Sequence, residues 1–154
     1  AEIRIIGPQN QKPQVIPDNV NWIDTSIDPP DQAIDYHRLK EWYAQCLGVC
    51  IPLSGDANDT CGYTNMLEGM AMGKPVLLTR SGCLHIDPKS RDFGILIEPQ
   101  DSQGWSDSMN RIIDDRVFAN SCGEKGRKIV ENEFTIERFN KDVASFISDV
   151  LKKS

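Results

Sequence analysis

The sequence predicts an α/β fold with an open, mostly parallel sheet and flanking helices, and three observations carry that reading. Val49–Leu53 and Val76–Leu78 are apolar runs too short for helices, the second opened by Pro75 and closed by Ser81-Gly82, as suits strands buried on both faces. The stretch between them holds one short helical pattern, enough for a single parallel crossover. Gly94–Ile97 supplies a last strand, and the remaining third of the chain is helical in pattern.

The opening strand is Glu2–Ile6, closed by Gly7-Pro8, and Val20–Ile23 is the next. Pro8, Pro13 and Pro17 fall between them, so the link is predicted as a loop. No G-x-G-x-x-G follows Ile6, which removes a dinucleotide fingerprint. From Asp35 to Leu47, Leu39, Trp42, Tyr43, Cys46 and Leu47 recur at helical spacing, and Gly48 is the expected stop. Ser81–Asp92 reads as a loop holding His85, which could touch a phosphate or stay solvated. A helix follows with Trp105, Met109, Ile112 and Ile113 on one face and Asp101 or Ser102 near its cap. Val117–Glu133 is the next, weakened by Gly123 and Gly126. Thr135 then caps a final helix, 135–154, with Phe134 set to staple onto Phe139 and Val143, Phe146, Ile147, Val150 and Leu151 extending the stripe.

At 154 residues, 39% hydrophobic and 26% charged, the chain is sized and composed as one soluble globular domain. A net charge of −6 argues against nucleic acid and anionic membrane as partners, since both are met by basic patches. Five cysteines form no C-x-x-C pair; Cys46 in a helix and Cys50 in the next strand read as core residues, and a cytoplasmic, reducing setting fits best. The start at Ala1 reads either as loss of an initiator Met or as a piece of something longer. No Cys-His cluster or D-x-D calls for a metal. Asp56, Asn58 and Thr60 alternate like a calcium loop but lack its closing acid, and Gly69 to Lys74 has the wrong spacing for a P-loop.

The crossover carries the candidate chemistry. Gly62 permits a tight bend, Thr64 or Asn65 can cap free amides, Met66 and Met70 give an apolar face, and Gly73 ends the helix after about two turns. Such a helix aims its amide-rich, positive end at the carboxyl edge of the sheet, where open α/β sheets bind anions and nucleotides. Glu68 has two readings. With Asn65 as the cap it closes a capping box; otherwise its carboxylate is free to accept hydrogen bonds from a ribose.

LEGMAMGKPVLLT, with FGILIEPQDSQGW from Phe93 and ENEFTIERF from Glu131, resembles the nucleotide-sugar block of the retaining GT-B glycosyltransferases, the family of glycogen synthases, sucrose synthases and polysaccharide mannosyltransferases. The resemblance covers roughly the last two thirds of the chain. It implies a Rossmann-like domain, residues 1–154, forming the donor-binding part of a larger two-domain hexosyltransferase of polysaccharide biosynthesis. It also implies the strand order 3-2-1-4-5-6 with the first strand and helix missing here. Glu68 would hold the ribose of a UDP- or GDP-linked sugar, and the backbone of Gly62, Tyr63, Thr64 and Asn65 its phosphates, without metal or other cofactor. Thr60 stands where many members have an earlier Glu facing the donor sugar, with Asp59 beside it. The acceptor domain and further diphosphate-gripping residues would lie upstream, so this chain alone is expected to be inactive. Two rivals remain: a nucleotide-sugar-binding module without catalysis, and an unrelated doubly wound interaction domain. Gly7-Pro8-Gln9 supplies no acid pair after the first strand, which counts against a receiver-like version of the latter.

Overall fold

The computed structural model describes residues 1–7, 12–24, 35–55, 62–82 and 84–152, which fall into two units, Ala1–Ala44 and Gln45–Ser154. In the first unit β1 (Ile3–Gly7) and β2 (Val20–Asp24) pair in parallel, Ile3 opposite Val20 and Gly7 opposite Asp24. α1 (Tyr36–Gln45) starts where the Asp35 carboxylate accepts the Arg38 N–H at 2.8 Å. Its Trp42 ring lies within cation–π reach of Arg4 and Arg38, 5.7 and 5.2 Å from the ring centre.

The helix expected to run to Leu47 ends at Gln45. Cys46 therefore lies past the helix, where its carbonyl accepts a hydrogen bond from Lys74 Nζ at 2.9 Å. Cys50, read from the sequence as a core residue, is exposed.

The second unit contains β3 (Val49–Ile51), α2 (Tyr63–Ala71), β4 (Val76–Thr79), β5 (Gly94–Ile97), α3 (Ser102–Asp114), α4 (Arg116–Glu133) and α5 (Ile136–Lys152). Its strands pair in parallel in the order β3-β4-β5. β3 is shorter than the predicted Val49–Leu53 because Leu53 N–H, the next amide turned toward β4, goes to the Thr79 side chain at 3.0 Å instead of to a β4 carbonyl. Every residue of central β4 is buried, which requires cover on both faces. Val76 and Leu78 join Ile51, Met66, Met70, Phe93 and Ile129 in one core, while Leu77 points the other way into Ile97, Ile112 and Ala119.

The fold is thus mixed α/β, with parallel strands in open sheets and flanking helices, as the sequence predicts. The strands pair as β1-β2 and β3-β4-β5.

Asp101 and Asp115 cap α3 and α4, accepting from the Gly104 and Phe118 amides at 2.8 and 2.9 Å. Lys125 and Arg91 pair with Asp92 and Glu133, tying the β4–β5 connection to α4. Thr135 caps α5 as predicted, accepting from Arg138 N–H at 3.2 Å. The apolar stripe of α5 does not extend a core, however: no residue of the helix is buried, and Phe139 and Phe146 are 62% and 70% exposed.

Gly123 and Gly126 turn out to be packing requirements. A Cβ on Gly123 would lie 2.0 Å from the Gly73 carbonyl oxygen, and one on Gly126 3.2 Å from Met70 Cγ, so α4 approaches the end of α2 nearly backbone to backbone. Helix propensity alone makes Gly→Ala stabilising by about 1 kcal/mol. The overlap reverses that sign, since backbone oxygen cannot yield as a flexible side chain does. Gly123→Ala is therefore expected to destabilise by roughly 1–3 kcal/mol, read as a lowered urea midpoint at unchanged m value.

Candidate functional site

α2 connects two parallel strands, so it runs antiparallel to them and its N-terminus lies at their carboxyl edge. The chain enters it through Gly62, whose φ of 82° is costly for any residue with a Cβ. A Cβ there would also lie 2.3 Å from Ile51 Cγ2. The start of the helix therefore sits directly on the end of β3, and only glycine fits between them.

Gly62 is itself the N-cap and brings no side chain to the task. The first intrahelical bond runs from Met66 N–H to the Gly62 carbonyl at 2.9 Å. The amides of Tyr63, Thr64 and Asn65 precede it and have no acceptor within the helix. Thr64 and Asn65 lie inside α2 and are exposed, so neither is the cap the sequence proposed for them. Glu68 is then the sixth helical residue, and the Asn65–Glu68 capping box is excluded.

Met66, Gly69 and Met70 are the buried residues of α2 and define the face turned to the core. Glu68 projects from another face, which it shares with Thr64 and Asn65 at i−4 and i−3. Glu68 is half-buried, and Thr64 and Asn65 in the first turn are exposed. Tyr63 and Gly62, both half-buried, complete that turn. Burial pushes the Tyr63 phenol above its ordinary value, so it stays a neutral hydroxyl at physiological pH. Thr60 and Asp59 lie outside the described residues.

The structure adds groups that sequence spacing could not place. The His85 ring meets Tyr63 edge to face, 6.3 Å between centroids at 81°. Beyond the ends of β4 and β5, Arg80 Nε donates to Glu98 at 2.8 Å. Asp87, in the loop after β4, builds a local turn by accepting the Lys89 N–H at 2.7 Å. Nothing in the spacing of Tyr63 and His85 signals their contact, because it depends on how far the loop after β4 folds back.

Parallel strands in open sheets with flanking helices place the protein among the open α/β domains. The family model for "Glycosyl transferases group 1" matches residues 1–115, and the chain belongs to that family. It is 36% identical over 87 residues to a D-inositol 3-phosphate glycosyltransferase of Corynebacterium urealyticum, covering 56% of this chain and 18% of that protein. It is 30% identical over 87 residues to an N-acetyl-alpha-D-glucosaminyl L-malate synthase of Bacillus anthracis, covering 56% and 23%. A capsular polysaccharide biosynthesis glycosyltransferase of Staphylococcus aureus is 26% identical over 94 residues, covering 60% and 25%. The fold is similar to that of a sucrose-phosphate synthase from Thermosynechococcus elongatus, with TM-score 0.71, 24% identity, and coverage of 89% of this chain and 31% of that one. The matched segments thus make up only about a fifth to a quarter of these curated relatives.

Asn65→Ala separates the two descriptions of the helix start. A true cap costs about 1 kcal/mol on replacement by Ala, whereas an exposed position inside the first turn gains from alanine's better propensity. The expected result is a melting temperature unchanged or slightly raised, by differential scanning calorimetry.

Proposed function

We propose that this chain is the donor-binding part of a glycosyltransferase that moves a hexosyl group from a UDP- or GDP-linked sugar to an acceptor hydroxyl with retention of configuration. The observation that carries this reading is the start of α2 at Gly62, where the amides of Tyr63, Thr64 and Asn65 lie at the carboxyl edge with no acceptor within the helix and Glu68 follows one turn on. Membership of the glycosyl transferases group 1 family supports it.

The difficult part of such a reaction is the negative charge that grows on the departing diphosphate. Fixed amides at a positive helix end meet that charge without reorganising and without a divalent cation. The carboxylate of Glu68 accepts hydrogen bonds from the ribose hydroxyls and holds the leaving group in line, a positioning effect. Acceptor binding and the remaining contacts to the diphosphate belong to an upstream domain, so this chain alone binds donor but does not turn over. Five cysteines without a C-x-x-C pair suit a reducing, cytoplasmic setting. Thr60, at the position of an otherwise common Glu, favours a second reading in which the nucleotide-sugar is bound without transfer. Sugar transfer by the full-length protein separates the two.

Calorimetric titration with UDP, GDP and their sugar conjugates tests the binding step. One of the two nucleotides is expected to bind, and Glu68→Ala to weaken it roughly 10- to 100-fold, the loss of hydrogen bonds to a charged acceptor. The variant's melting temperature should stay close to that of the unsubstituted chain. A fall in stability with unchanged affinity would assign Glu68 a structural role and overturn its place in the site.

A further inference from the structure

We propose that Thr79 is a positioning residue for the N-terminus of α2, acting through the main chain of Leu53 and the α-carbon of Gly62; the inference rests on the donor-site reading above. Thr79 is the last residue of β4 and is 1% exposed, an unusual place for a hydroxyl. The β3–β4 ladder stops at Ile51 opposite Leu78. Pro52 faces away from β4, since Val49 and Ile51 are the residues turned toward it. The next amide, Leu53 N–H, is met by Thr79 Oγ1 at 3.0 Å. A side chain thus takes over where the ladder ends and extends the fixed part of the crossover by two residues.

What that bond holds is the seat of the helix. Leu53 and Ile51 are the groups against which Gly62 rests, since a Cβ on Gly62 would meet Ile51 Cγ2 at 2.3 Å and Leu53 Cδ2 at 3.5 Å. Displacing Leu53 therefore displaces Gly62, and with it the direction in which the amides of Tyr63 to Asn65 point. β4 itself does not need the hydroxyl. Its main chain is held by its ladders to β3 and β5, and Arg80 N–H continues past it to the Ile97 carbonyl at 2.7 Å. The bond therefore bears on where the helix begins more than on whether the strand forms.

Thr79→Val keeps the shape and removes the hydroxyl; Thr79→Ser keeps the hydroxyl and removes the methyl. Titration with UDP and GDP is expected to show affinity for the bound nucleotide falling about five- to tenfold in Thr79→Val, the equivalent of one net hydrogen bond, and restored in Thr79→Ser. Hydrogen exchange at the Leu53 amide should accelerate in Thr79→Val while Val76 to Leu78 stay protected. If the unsubstituted protein binds and Thr79→Val binds equally well, or if Ser fails to restore what Val loses, this inference falls alone. No binding of either nucleotide by the unsubstituted protein would overturn the donor-site reading and this inference with it. Should Thr79→Val not fold, exchange in the unsubstituted protein decides: a Leu53 amide protected like its β3 neighbours supports the assignment, and a freely exchanging one overturns it.

Discussion

The closeness with which α2 is held sets everything else in the second unit. A Cβ built on Gly69 would lie 2.9 Å from Val49 Cγ2, one on Gly62 2.3 Å from Ile51 Cγ2, and one on Gly123 of the facing helix 2.0 Å from the carbonyl at the end of α2. Three glycines, at the start and middle of the helix and opposite its end, let it settle onto β3 beneath and α4 beside it. Met66 and Met70 fill what space is left, both essentially inaccessible to solvent. Flexible, unbranched side chains suit that irregular gap. A helix fixed at three points along its length cannot shift its first turn without disturbing a core, so the amides of that turn are held in place.

The sequence announces this core well. The short apolar runs, Pro75 and Gly73 mark β3, α2 and β4 to within two residues, and the positive φ of 66° at Gly73 is the stop its composition predicts. What spacing misplaced was the cap. Thr64 and Asn65 are good capping residues by type, but the tertiary contact of Gly62 with Ile51 starts the helix earlier and carries both into its first turn. Local propensity lost to packing, as it does wherever two backbones approach closely. The same conflict explains Gly123 and Gly126, which look like weak points in a helical pattern until the neighbour they admit is known.

Periodicity was equally silent about what an apolar stripe faces. α1 and α5 are both amphipathic, yet neither has a fully buried residue, while α4, interrupted by glycines, has five. A stripe states which side of a helix shuns water and leaves the surface that covers it unspecified. Likewise Thr79 reads in sequence as an ordinary end to an apolar strand. Its role emerges only once the ladder is seen to stop at Ile51 and leave the next amide turned toward β4, that of Leu53, for the hydroxyl to satisfy.

On the proposed reading the donor's phosphates are met by main-chain amides, which place few demands on side-chain identity. Peptide N–H groups are present whatever the residues are, so the needs at this edge reduce to glycine where the chain must pass, a helix of sufficient length, and one acid on the correct face. That is consistent with relatives sharing only 26 to 36% of residues over this segment while carrying names that differ in the molecule acted upon, from D-inositol 3-phosphate to L-malate to a capsular polysaccharide. Charge on a diphosphate is common to any nucleotide-sugar, and a helix end serves it without reading the rest of the molecule. On that reading the helix end itself does not discriminate among acceptors, and the choice is left to side chains elsewhere.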